Sequence, residues 1–242
     1  MSEGLLAAIF DVDGVLVDSP HERAWREALA GFADPAGFTT AFYQEYVAGK
    51  PRMEGARAVL ERLGGPGTVA RTSEYAVAKQ ALIDRLIEEG NFHAFPDAVR
   101  LVARLHAAGL KLALASSSRN VGAMLRQVRL PDGRALLPLF AADLSGREVP
   151  HGKPDPALFL LAAEALGIAP AHCLVVEDAP AGIRAAQSGG MAALGIARLG
   201  DEALLREAGA DLVLTSLDRL DVAALASGVL RAEPTPEDAP NA

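Results

Sequence analysis

Asp11 and Asp13 stand two residues apart at the end of the apolar run Leu5-Leu6-Ala7-Ala8-Ile9-Phe10, and Gly14 follows them. Two carboxylates at i and i+2 leaving a buried strand converge on one point, and glycine lets the chain turn tightly there. Such a pair suits a magnesium site in which one carboxylate attacks phosphorus while the other trades a proton with the entering or leaving oxygen. A solvated Asp-Gly turn would use the same residues. Three further segments offer complementary groups. Ser116-Ser117-Ser118-Arg119-Asn120 follows the apolar run 110–115 and is read as opening a helix, where hydroxyls and free N–H groups cradle phosphate, although a plain N-cap needs only one serine. In Gly152-Lys153-Pro154-Asp155-Pro156 two prolines stiffen the approach of one lysine, whose ammonium would neutralise a phosphoryl group in flight or simply face solvent. Glu177-Asp178, directly after the run 173–176, offers oxygen ligands to a hard cation, or a solvated acidic loop.

The elements that must position these groups follow from hydrophobic periodicity. Short apolar runs at 5–10, 110–115, 173–176, 191–196 and 211–214 read as strands buried on both faces. Between them, Ala98, Leu101, Val102 and Leu105, and likewise Leu158, Leu161, Ala162 and Ala165, mark buried helix faces. The fold class is therefore α/β, a doubly wound parallel sheet, with ligands bound at the carboxyl edge of its strands. Residues 19–95 break the alternation and read as helices with no strand, with faces at Trp25, Ala28, Leu29, Phe32 and at Leu82, Ile83, Leu86, Ile87. The expected organisation is a Rossmann-like core over 1–18 and 96–230, an inserted all-helical cap over 19–95, and a disordered proline-bearing tail over 231–242.

Composition bounds the partners. A net charge of −8 over 242 residues excludes a broad nucleic-acid or anionic-membrane surface, because both need a basic field. Any anion must then be held by a local cluster of donors. Cys173, the single cysteine, sits in an apolar run and reads as a buried structural thiol. With no run of about 18 apolar residues and no basic leader, a cytoplasmic protein is expected.

Taken together and in order, the four segments resemble the haloacid dehalogenase superfamily, in the subgroup with a helical cap after the first motif. The resemblance covers about residues 5–225. It implies that Asp11 forms an aspartyl-phosphate, that Asp13 is general acid and base, and that Ser116 and Lys153 hold the transferring phosphate. It also implies Mg2+ bound by Asp11, Asp13 through its main-chain carbonyl, and Asp178, with Glu177 adjacent. Within the superfamily the chain is similar to the beta-phosphoglucomutase family in His21-Glu22-Arg23-Ala24-Trp25, Gly49-Lys50-Pro51-Arg52, Ala78-Lys79 and the Ser116 to Asn120 segment. That similarity implies substrate contacts from His21, Arg52, Lys79, Ser117, Ser118, Arg119 and Asn120. It further implies interconversion of beta-D-glucose 1-phosphate and glucose 6-phosphate through a bisphosphate; hydrolysis of a small sugar phosphate is the alternative. The substrate is expected to be a small phosphorylated sugar, and the protein a monomer.

Overall fold

The computed structural model describes residues 4–234. In chain order the elements are β1 (Ala7–Phe10), β2 (Val17–Asp18), α1 (His21–Leu29), α2 (Thr40–Tyr46), α3 (Arg52–Leu63), α4 (Thr72–Glu88), β3 (His93–Ala94), α5 (Pro96–Ala107), β4 (Lys111–Leu114) and α6 (Val121–Leu125). They continue with β5 (Ala142–Asp143), α7 (Ala157–Leu166), β6 (Cys173–Glu177), α8 (Pro180–Ser188), β7 (Ala192–Ile196), α9 (Glu202–Glu207), β8 (Leu212–Leu214) and α10 (Val222–Leu225).

β1 is apolar throughout because it lies inside the sheet and is covered on both faces. The six strands run parallel in the order β5-β4-β1-β6-β7-β8. Alternate side chains enter two different cores: Ala8 and Phe10 pack with Leu112, Leu114, Leu174 and Val176, whereas Ala7 and Ile9 pack with Ala113, Cys173 and Val175. Full burial of Ile9 and Phe10 contributes about 1.5–3 kcal/mol each. α5 starts with Pro96, whose missing N–H costs nothing at a first helical position, and buries Ala98, Leu101, Val102 and Leu105 as their spacing predicts. Cys173 is buried.

Helices α1 to α4 carry a third core of their own, built on Trp25, Leu29, Phe38, Val59, Leu60 and Tyr75. This is the inserted helical cap of the sequence reading, with one correction. His93 and Ala94, read as part of an all-helical stretch, pair antiparallel with Asp18 and Val17 where the chain leaves and re-enters the core. Two residues per strand are too few to show a hydrophobic period, so the sequence carried no signal for them.

The tail also departs from expectation at its start. Ala232 bridges Leu220, Arg231 pairs with Asp221, and Glu233 accepts from Arg104, so 231–233 are tied to the core by backbone pairing and charge despite having few apolar residues. Residues 235–242, the rest of the expected disordered tail, lie outside the described residues. Among the described residues no helix is long and apolar enough to cross a membrane.

Candidate active site

The parallel register sets the site. Phe10 lies opposite Leu114 on one side and Val176 on the other, so Asp11, Ala115 and Glu177 emerge at one level on the carboxyl edge. Lys153, from the loop between β5 and α7, reaches into that level with its side chain wholly buried. Its Nζ donates to Asp11 Oδ1 at 2.7 Å, to Glu177 Oε1 at 2.6 Å and to the Ala115 carbonyl at 3.2 Å. Burial alone would lower the Lys153 pKa, but the carboxylates of Asp11 and Glu177 overcome that and raise it, so the ammonium is held charged.

Asp11, Glu177 and Asp178 each place a carboxylate oxygen within 4.8 Å of the others. Burial raises all three acids; Lys153 opposes this, and repulsion among the acids adds to it. Glu177 is pushed up to about 7 and Asp178 well above the ordinary range. Hard oxygen donors crowded at this spacing, with one ammonium among them, fit a divalent cation such as Mg2+. Glu177 is engaged more fully than the sequence implied. Its Oε2 accepts from the N–H groups of Asp178 and Ala179, both at 3.1 Å, and its Oε1 accepts from Lys153. It stands behind Lys153, outside the cavity lining. Two glycines make room: a Cβ at Gly182 would sit 1.9 Å from the Glu177 carboxyl carbon, and one at Gly14, where φ is +83°, would sit 1.9 Å from Asp178 Oδ2.

Above this edge lies a cavity of about 620 Å³, lined from the core by Asp11, Asp13 and Lys153 and from the helices by His21, Arg52 and Lys79. His21, at the start of α1, has Nε2 3.4 Å from Asp13 Oδ2 and 3.3 Å from Ser118 Oγ, while Nδ1 lies 2.6 Å from Lys79 Nζ. Burial and then Lys79 hold the imidazole well below its usual pKa, so it is neutral. Nδ1 therefore accepts from Lys79, and the Nε2 proton faces Asp13. Burial lowers Lys79 to about 7, with Arg52 pushing the same way against Asp13. Burial also raises Asp13, whose Oδ1 is enclosed without a partner, against hydrogen bonds from Ser19 and Ser118.

The serine segment is a turn, and α6 begins only at Val121. Ser116 Oγ accepts from the Ser118 N–H at 3.1 Å, and Ser118 Oγ accepts from the Asn120 N–H at 3.2 Å; these local bonds hold the chain out of the helix expected to open there. Ser117 Oγ donates to the Gly49 carbonyl at 3.2 Å, tying the turn to the helical layer. Arg119 lines the cavity while pairing with exposed Glu148 at 2.5 Å. Trp25 is buried in the helical core, with Lys79 Nζ 4.9 Å from its ring centroid.

Among the lining residues that the sequence reading did not single out are Gln80, Tyr43 and Arg198. Arg198 binds Asp97 with two bonds of 2.8 and 3.0 Å, donates to the Val15 carbonyl at 3.3 Å and stacks 3.9 Å from the Phe95 ring centroid. It thereby braces the turn after β1 against the chain returning from the helices. Each is a single polar residue with ordinary neighbours, and no local spacing marks it.

Known proteins share this architecture. The chain is 35% identical over 224 residues to a beta-phosphoglucomutase of Bacillus subtilis strain 168, covering 87% of this chain and 93% of the relative. It is 32% identical over 216 residues to hexitol phosphatase A of Escherichia coli K12, covering 88% and 92%. The crystal structure of an archaeal beta-phosphoglucomutase from a hyperthermophilic Pyrococcus, strain ST 04, superposes with a TM-score of 0.73 at 33% identity, covering 91% of this chain and 97% of that one. Residues 5–190, which contain Asp11, Asp13, the Ser116 turn, Lys153, Glu177 and Asp178, match the haloacid dehalogenase-like hydrolase family, and the chain belongs to that family.

Proposed function

We propose that the protein is a sugar-phosphate mutase interconverting beta-D-glucose 1-phosphate, or a close relative, with its 6-phosphate through an aspartyl-phosphate and a sugar bisphosphate. One observation carries the reading: the same cavity has Lys153 beside Asp11 on its core side and Arg52 with Lys79 on its helical side. Two separate cationic positions match a substrate that bears phosphate at both ends, whereas hydrolysis of a monoester needs one. The net charge of −8 supports a small anionic ligand bound locally over a nucleic acid or a membrane surface.

In this mechanism a carboxylate oxygen of Asp11 attacks phosphorus in line, a new P–O bond forms to Asp11, and the bond to the sugar oxygen breaks. Asp13, its pKa raised by burial, delivers a proton to that leaving oxygen. With the 1,6-bisphosphate bound so that its 1-phosphate meets Asp11, these steps release glucose 6-phosphate and leave Asp11 phosphorylated. The reverse steps on the 6-hydroxyl of beta-glucose 1-phosphate, with Asp13 taking its proton, break the bond between phosphorus and Asp11 and form the bisphosphate again. Lys153 offsets charge on the moving phosphoryl group from a position fixed by Glu177. His21, neutral and anchored by Lys79, orients Asp13. Mg2+, held by Asp11, Asp178 and the main-chain carbonyl of Asp13, would supply further positive charge to the phosphoryl oxygens. The contact of Ser117 with Gly49 supports a layer closed over the site, which favours transfer to sugar over water.

The relative named as a phosphatase, hexitol phosphatase A, supports hydrolysis as the second reading. One assay separates them: the protein with Mg2+, beta-glucose 1-phosphate and a trace of the 1,6-bisphosphate, following glucose 6-phosphate and free phosphate separately. Isomerisation outpacing phosphate release is the expected result, and phosphate release without isomerisation refutes the mutase.

A further inference from the structure

Gln80, on α4, stands between Arg52 and Asn120. Arg52 Nη1 donates to its Oε1 at 2.5 Å, and its Nε2 donates to Asp84 Oδ1 at 2.6 Å and to Asn120 Oδ1 at 3.3 Å. The first two bonds fix which way the amide points. A guanidinium has only donors, so the atom facing Arg52 must be the oxygen; a carboxylate has only acceptors, so the atom facing Asp84 must be the nitrogen. The Gln80 nitrogen is therefore also what meets Asn120, and Asn120 must present its own oxygen there. Its Nδ2 donor is then left for the cavity, which Arg52, Gln80 and Asn120 all line.

We propose that Gln80 is a positioning residue that builds the second anion site, orienting the Arg52 guanidinium and the Asn120 amide as a matched pair of donors across the helical layer and the core. This rests on the two-phosphate reading above. Without Gln80, the flexible Arg52 side chain loses its anchor and the Asn120 amide is free to turn its oxygen, an acceptor, toward the anion. Substrates with a single phosphate held at Asp11 make little use of the pair, so Gln80 sets discrimination between bisphosphate and monophosphate.

The test measures binding, so that it does not depend on the reaction. With Mg2+ present, calorimetry gives the affinities of an Asp11→Asn protein, in which transfer is blocked, for glucose 1,6-bisphosphate and glucose 6-phosphate. The parent is expected to prefer the bisphosphate by about tenfold or more. Gln80→Leu is expected to bring the two affinities to within about twofold. Gln80→Glu, nearly isosteric, still accepts from Arg52 but donates nothing to Asn120 and repels the anion, so it is expected to reverse the preference. In an Arg52→Ala background Gln80→Leu is expected to add less than about twofold, because the two act as a unit.

A Gln80→Leu protein that keeps the preference, or that loses affinity equally for both ligands, overturns the proposal, as does a parent without preference. If the Asp11→Asn parent prefers the bisphosphate and loses the preference in Gln80→Leu, while the protein with Asp11 intact does not isomerise beta-glucose 1-phosphate, the mutase reading is refuted and this role stands. Isomerisation with the preference intact in Gln80→Leu refutes this role alone.

Discussion

The ammonium of Lys153 donates to Oδ1 of Asp11 across 2.7 Å, with Lys153 fully and Asp11 almost fully shielded from solvent. Glu177 receives a second bond from the same Nζ at 2.6 Å. The lysine thus neutralises the carboxylate that the proposed mechanism uses as nucleophile, and a third residue keeps it from moving away.

Replacing that lysine by methionine leaves two buried acids unpaired. Lys153→Met is expected to cost about 3–5 kcal/mol of stability, read by chemical denaturation. Turnover is expected to fall by about a thousandfold, as for loss of a principal charge-stabilising group.

Asp13 is different, since His21, Ser19 and Ser118 are its close polar neighbours, Lys79 and Lys153 act on it through charge, and it contributes nothing to the hydrophobic cores. Asp13→Asn is expected to retain its unfolding temperature while losing about 10²–10⁴-fold in turnover, the range of a lost proton donor. Unfolding at a markedly lower temperature would assign Asp13 a structural role.

Asp178 sits among acids that raise its pKa after burial has done so. In chelator, Asp178→Asn is expected to unfold at a higher temperature than the parent, because one repelling charge is gone. Added Mg2+ is expected to stabilise the parent and to stabilise this variant much less. Equal gains would remove Asp178 from the cation site.

Lys79 gives a pH signature. Its folded pKa, about 7, lies below the unfolded value of 10.5, so between those values the unfolded chain binds more protons. Stability of the ligand-free protein is therefore expected to rise with pH across that window and to level off below it. Lys79→Met is expected to flatten the rise, as measured by urea denaturation from pH 7 to 10. A bound phosphate should do the same in the parent, by favouring the charged lysine.

What the sequence disclosed depended on how local the signal was. Asp11, Ser116, Lys153 and Glu177 were legible because three of them end or follow apolar runs that the fold places side by side, and Lys153 stands just before Pro154 and Pro156. Gln80 was not, since the partners that give it its role lie 28 and 40 residues away, and its bond to Asp84 four residues on is an ordinary contact along a helix face. Glu177 was legible as an acid but not as the residue that holds Lys153, because that role comes from a contact 24 residues distant. The turn at Ser116 was misread as a helix start because serine hydroxyls satisfy N–H groups equally well in both settings.

The paired strands β2 and β3 put the exit and re-entry of the helical segment next to each other, two residues against two. An insertion joined at neighbouring points can be lengthened, shortened or exchanged without stretching the sheet that carries Asp11. The fold thus separates inheritance of the chemistry from inheritance of the recognition: drift or recombination between residues 22 and 92 can retarget the enzyme while Asp11, Asp13, Ser116, Lys153, Glu177 and Asp178, all outside that stretch, are passed on intact.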